Sequence, residues 1–126
     1  MRGTLLLIED SKFIRAASAR LLTNAGFTVN IAGDGEEALR LVQENPPDLI
    51  LLDMLLPKMG GAQVLQALKQ DAVTAHIPVI ILSNLGQDRD VQQAMDAGAT
   101  AYFIKTDLSL QALVQRVEET LTAGGV

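Results

Sequence analysis

Residues 47–57 read P-D-L-I-L-L-D-M-L-L-P, and the four consecutive apolar residues 49–52 decide the fold. A half-exposed strand alternates apolar and polar side chains, whereas a strand covered on both faces reads as an unbroken apolar run. L-I-L-L is the most apolar run in the chain and is expected at the centre of a sheet. Asp53 follows it directly, at the strand's carboxyl end.

Three other runs resemble it outward along the chain: 4–8 (T-L-L-L-I), 78–82 (P-V-I-I-L) and 100–104 (T-A-Y-F-I). Residues 27–32 (F-T-V-N-I-A) alternate and belong nearer an edge. Amphipathic stretches separate these runs. Residues 11–25 place Ile14, Ala17, Leu21 and Ala25 at helical spacing, and Gly26 supplies a left-handed stop. Asp34 reads as a helix N-cap with Glu37 three residues on, a capping-box arrangement. That helix buries Ala38, Leu41 and Val42 and ends before Pro46 and Pro47. Residues 57–61 form a Pro/Gly-bracketed loop in which Gly60 and Gly61 serve the backbone turn. Three helices complete the pattern: 62–69 with Val64, Leu65 and Leu68 inward, 88–97 with Val91, Ala94 and Met95, and 108–122 with Leu110, Leu113, Val114, Val117 and Leu121. Gly98 stops the second of these, and residues 123–126 are expected to fray. Strict alternation with near-continuous apolar strands predicts an α/β fold, a parallel sheet covered by helices on both faces.

The chain has 126 residues, which predicts one domain with enough interior to fold without a disulfide or metal. Ten Lys and Arg against fifteen Asp and Glu give a net charge of −5, which argues against direct nucleic-acid binding. The absence of cysteine excludes thiol nucleophiles and zinc-thiolate sites. A single histidine, His76, excludes multi-histidine metal sites within one chain; its loop position predicts a surface residue without a role. No apolar run approaches the length of a membrane span, and residues 1–8 are too short for a secretory leader. A cytoplasmic location is expected.

Ligands of open parallel sheets bind beyond the carboxyl ends of the strands. Glu9 and Asp10 follow the first strand, Asp53 the third, Ser83 and Asn84 the fourth, and Lys105 the fifth. Two carboxylates about 5 Å apart repel by roughly 3 kcal/mol at an effective dielectric near 20. Such a cluster is tolerated where a lysine neutralises part of it and a divalent cation the rest. Magnesium takes hard oxygen ligands and binds through one or two carboxylates plus a phosphate. The set is built to hold a phosphoryl group, with Asp53 at its centre as the nucleophile.

These residues also carry a resemblance. I-E-D (8–10), D-G-E-E-A-L (34–39), P-D-L-I-L-L-D-M-x-L-P (47–57), P-V-I-I-L-S (78–83) and A-G-A-x-x-Y-x-x-K (97–105) stand in the order and spacing of bacterial two-component response-regulator receiver domains. The resemblance covers essentially the whole chain. It implies a (βα)5, flavodoxin-like, doubly wound sheet with strand order 2-1-3-4-5, a topology for which a chemotaxis receiver is a standing example. It implies phosphoryl transfer to Asp53 from a histidine kinase or a histidine phosphotransfer protein. Asp10 and Asp53 become direct ligands of Mg2+ (or Mn2+), with the Leu55 backbone carbonyl, and Glu9 binds through water. Lys105 pairs with Asp53 and then with a phosphoryl oxygen, while Ser83 and the Asn84 amide bind other phosphoryl oxygens. Ser83 and Tyr102 form the switch, which biases a two-state surface of the fourth helix, fifth strand and fifth helix. The output is partner binding or onward phosphorelay by a monomer or a phosphorylation-dependent dimer. The resemblance implies no enzyme activity beyond the chain's own phosphorylation and dephosphorylation.

Each residue has a plainer reading. Asp10 or Ser11 can simply cap a helix, Ser83 can simply end a strand, and Tyr102 can simply pack. Three departures from the family pattern stand out. Thr106 replaces the usual proline after the lysine, so the tight turn expected there is open to change. Ser83 replaces the commoner threonine. Leu55 and Leu85 are apolar where many members carry polar side chains near the hydrolytic water, which predicts a long-lived aspartyl phosphate.

Competing classes fit less well. A magnesium-dependent aspartyl phosphatase generally wants Asp-x-Asp after the first strand, and this chain has Glu9-Asp10-Ser11-Lys12. A flavodoxin needs a Ser/Thr/Gly-rich phosphate loop and aromatic surface that this sequence lacks. Neither a P-loop nor G-x-G-x-x-G is present. A receiver excised from a larger kinase or regulator shares every motif.

Overall fold

Leu49, Ile50, Leu51 and Leu52 are all fully buried, and they form strand β3 (Leu49–Leu52) at the middle of a five-stranded parallel sheet. β1 (Thr4–Ile8) and β4 (Val79–Ser83) flank it, with β2 (Thr28–Ala32) and β5 (Ala101–Ile104) at the edges, in the order β2-β1-β3-β4-β5. The computed structural model describes residues 3–124. Alternate side chains of β3 feed two cores. Ile50 and Leu52 pack with Ala38, Val42, Val64, Leu65, Leu68 and Ala94 on one face. Leu49 and Leu51 pack with Leu22, Leu113 and Val117 on the other. The central strand therefore has no polar face to offer, as its sequence requires. β2 is the less buried strand expected, with Thr28 and Ile31 exposed.

Five helices cover the sheet: α1 (Lys12–Asn24), α2 (Gly35–Glu44), α3 (Gly61–Gln70), α4 (Asp88–Asp96) and α5 (Leu110–Gly124). α2, α3 and α4 lie on the first face, α1 and α5 on the second. Ser11 caps α1, its Oγ accepting the Ile14 N–H. Asp34 caps α2 by accepting the Glu37 N–H at 2.9 Å. The returning contact differs from the expected box: Glu37 accepts the N–H of Gly33, one residue earlier than the cap. Gly26 (φ 103) and Gly98 (φ 110) occupy the left-handed conformation that ends α1 and α4. Among the described residues no helix is long and apolar enough to cross a membrane.

Four expectations need correction. The buried stripe of α1 runs through Ser18 and Leu22, while Ile14 is exposed and Ala17, Leu21 and Ala25 are only half-buried. Periodicity leaves a helix's phase open by a residue, and the polar Ser18 is buried where an apolar residue was expected. Met95 and Leu110 are exposed rather than inward. α4 buries only Ala94 fully, and Leu110 opens α5 beyond the core's margin. A 3₁₀ turn at Lys105–Asp107 precedes α5, which starts later than predicted and continues to Gly124, so the expected tail at 123–124 is helical backbone. Residues 125–126 of that tail lie outside the described residues. His76 is exposed, as its loop position predicted.

The sheet's register prepares the site. Ile8 pairs with Leu52, Leu52 with Ile81 and Ile81 with Tyr102, so one row crosses four strands near their carboxyl ends. Glu9 and Asp53 are the residues that follow that row on β1 and β3.

Candidate functional site

Parallel pairing places Glu9, Asp53, Ser83 and Lys105 at the same end of the sheet because each follows or ends a neighbouring strand. Lys105 Nζ donates to Asp53 Oδ2 at 2.8 Å and to Glu9 Oε1 at 2.5 Å. Glu9 is 4% exposed and Asp53 7%, so both carboxylates have left bulk water and share one ammonium. Burial by itself would lower the Lys105 pKa. Hydrogen bonds and charge from Asp53 and Glu9 outweigh it and hold the ammonium above the ordinary lysine value.

The other carboxylate oxygens are engaged locally. Asp53 Oδ1 accepts the Leu55 N–H at 3.1 Å, and Glu9 Oε2 accepts the Ser11 N–H at 3.1 Å. Ser83 is fully buried, and its Oγ accepts the Leu85 N–H at 3.2 Å. Tyr102 turns its hydroxyl toward the same loop and donates to the Leu85 carbonyl. Burial chiefly raises its phenol pKa; the nearby Ser83 side chain works against this, and the charges of Asp90 and Asp53 add to it. Asp10 and Asn84 are exposed, and Leu55 points its side chain outward, 59% exposed. Glu9, Asp53 and Lys105 are thus in direct contact, and Ser83 and Tyr102 meet through the Leu85 backbone. Asp10, Asn84 and the Leu55 carbonyl stand beside them without a contact to the group.

Three supporting features were not foreseen. Glu9 bonds Lys105 directly, where the resemblance named Asp53 as its partner and the charge argument named only a counter-ion for the acids together. Arg15 Nη1 donates to the Glu9 carbonyl at 3.3 Å and lies so close to Gly33 that a Cβ there would meet it at 2.8 Å. Gly61, read only as a turn residue, packs against the peptide of the acceptor candidate. A Cβ at Gly61 would fall 2.5 Å from the Asp53 carbonyl oxygen. For Gly33 the available signal was its place beside Asp34, and for Gly61 only the Gly60-Gly61 pair in the loop after Asp53. The loop between these residues turns sharply at Lys58 (φ 65), with Met59 N–H donating to the Pro57 carbonyl at 2.7 Å. Lys58 pairs with Asp34 across that loop at 3.5 Å.

Two carboxylates, Glu9 and Asp53, meet the Lys105 ammonium at the rim. Among the described residues no three Asp, Glu, His or Cys side chains are placed to hold a metal by themselves. The residues expected from the sequence to hold a cation, Asp10, Asp53, the Leu55 carbonyl and Glu9, offer oxygen donors of the kind that Mg2+ takes, an ion that keeps several of its waters. Among the described residues no peptide is cis, and the Lys105–Thr106 link enters the 3₁₀ turn.

Residues 5–118 match the family model described as the response regulator receiver domain. The chain is 42% identical over 117 residues to the gliding motility regulatory protein of Myxococcus xanthus, covering 93% of this chain and 15% of that protein. It is 36% identical over 125 residues to the transcriptional regulatory protein AfsQ1 of Streptomyces coelicolor, covering 94% of this chain and 54% of that one. The chain therefore spans about half of one relative's length and a much smaller part of the other's. Its fold superposes with a TM-score of 0.88 on the signal receiver domain of a signal transduction histidine kinase from Syntrophus aciditrophicus, at 30% identity, covering 96% and 91% of the two chains. Receiver domains of this family generally use Mg2+, interact with histidine kinases and downstream effectors, and are typically not enzymes in the ordinary sense. The aspartyl phosphatase alternative is not favoured. The chain belongs to the response-regulator receiver domain family, the phosphoacceptor modules of two-component signal transduction.

Proposed function

We propose that Asp53 is the phosphoacceptor of this domain and that Lys105, Ser83 and the Asn84 amide receive the transferred group. The observation that carries this reading is the 2.8 Å contact between Lys105 Nζ and Asp53 Oδ2 in a nearly solvent-free position. A carboxylate oxygen of Asp53 attacks the phosphorus of a phosphohistidine on a histidine kinase or phosphotransfer protein. The P–N bond breaks, the imidazole keeps its electron pair and takes up a proton, and an acyl phosphate remains. Lys105, already paired with the oxygen region where new negative charge arrives, shifts from the carboxylate to a phosphoryl oxygen. Ser83 gives up its bond from the Leu85 N–H and turns its hydroxyl toward another oxygen. Asp10, Asp53 and the Leu55 carbonyl would hold Mg2+ directly and Glu9 through water, and that ion would offset the charge of the incoming group.

Tyr102 responds because its hydroxyl is bonded to the Leu85 carbonyl, in the loop that Ser83 anchors. The reading makes Ser83 and Tyr102 the switch, with α4, β5 and α5 as the responsive surface. Residues 1–126 act as one receiver module in the cytoplasm, without catalysis beyond the module's own phosphorylation and dephosphorylation. Beryllofluoride with Mg2+, which mimics an acyl phosphate, tests the site. Tight binding lost in Asp53→Asn supports it, and indifference of the wild-type protein to the mimic contradicts it.

A further inference from the structure

Between α3 and α4 lies a cavity of about 230 Å³. Leu65 and Ala94 give it apolar walls, and Ala97, Tyr102 and Leu85 also line it. Asp90 is the acidic residue on its lining. Its carboxylate is half-buried and has no cationic partner among the described residues. Elsewhere α4 carries Asp88 and Asp96 against Arg89.

The dimensions choose the occupant. Pockets for drug-sized ligands run to roughly 300–1,000 Å³, and this one is smaller, on the scale of one or two apolar side chains. A small apolar hollow with an unpaired charge at its lip matches the anchor sites of protein interfaces, where one buried side chain supplies affinity and a neighbouring charge supplies orientation. Acid on both the lining and the surrounding helix selects a basic partner.

We propose that this cavity is a docking site for a partner protein segment that inserts one apolar side chain and pairs a neighbouring Lys or Arg with Asp90. This supplies the class of downstream partner that the phosphoacceptor reading leaves open, and it rests on that reading for its link to signalling. The link is physical: Leu85 is both a wall of the cavity and the residue whose N–H and carbonyl engage Ser83 and Tyr102. Rearrangement of Ser83 changes the mouth of the hollow.

A displayed library of random sixteen-residue peptides, selected against the full chain without phosphodonor, tests the docking directly. The expected result is enrichment of peptides that join an apolar residue to a nearby Lys or Arg. Their affinity falls at least fivefold for Asp90→Asn and for Ala97→Leu, which narrows the opening from an exposed position. Enriched peptides without basic residues, or undiminished binding to both variants, overturn the proposal; so does a library that enriches nothing over an unrelated bait. Self-association of the wild-type chain that Asp90→Asn abolishes would assign the cavity to a second copy and also overturn it. Phosphoryl uptake from acetyl phosphate, measured on the same proteins, is expected to be unchanged in both variants. Failure of uptake in the wild type would sink the phosphoacceptor reading while leaving the peptide result to stand or fall separately.

Discussion

Lys105 Nζ lies 2.8 Å from Asp53 Oδ2, although the two residues are 52 positions apart in the chain. The same nitrogen bonds Glu9, 96 positions away. One ammonium therefore ties the first, third and fifth strands together at their carboxyl ends. Without it, two buried carboxylates would face one another at a separation where repulsion reaches roughly 3 kcal/mol.

Lys105→Met is expected to lower stability in metal-free buffer by roughly 1–3 kcal/mol. That is less than for a fully buried pair, because the lysine side chain keeps some solvent. Added Mg2+ should restore more stability to the variant than to the wild type, since the cation replaces a missing counter-charge. Urea denaturation with and without Mg2+ measures both effects. An unchanged midpoint in the variant would show that the three-residue cluster holds nothing together.

Tyr102 is the only tyrosine and the chain has no tryptophan, so phenolate absorbance in a pH titration reports this residue alone. Burial raises its pKa above the ordinary value of 10.0. A raised phenol means the fold favours the neutral form, so the associated stability is complete below pH 10.0 and is lost as pH rises through the folded-state value. The native protein should titrate later than the same chain in denaturant. Coincident curves would place the phenol in free solvent and remove the basis for its contact with the Leu85 carbonyl.

Leu55 and Leu85 are 59% and 36% exposed and present no polar atom beyond their backbones to seat an attacking water beside an acyl phosphate. The labelled protein should keep its phosphoryl group well beyond a half-life of seconds in magnesium buffer. Replacing both residues, Leu55→Asn with Leu85→Glu, should shorten that lifetime several-fold by offering water a fixed partner. Loss of label within seconds from the wild type would contradict the shielding.

Most of the sheet was legible because burial and sequence pattern coincide there. L-I-L-L at 49–52, short and preceded by Pro46 and Pro47, reads as a doubly covered strand, and its neighbours follow from β-α alternation. The site's position followed from the same logic, since strand ends bring Glu9, Asp53, Ser83 and Lys105 together whatever their rotamers. What sequence could not supply was side-chain geometry. The Glu9–Lys105 bond depends on rotamers of residues 96 positions apart. α1 was read out of phase because a serine, Ser18, stands with Leu22 on its most buried line. Gly61 was read as a turn residue because nothing in the sequence shows how closely a loop passes behind Asp53.

The central claim is that Asp53 becomes covalently phosphorylated, and mass spectrometry of the intact chain after incubation with acetyl phosphate and Mg2+ addresses it most directly. One phosphoryl group should appear on the wild-type protein, none on Asp53→Asn, and little on Asp10→Ala. Uptake by Asp53→Asn equal to that of the wild type would place the acceptor elsewhere and contradict the account.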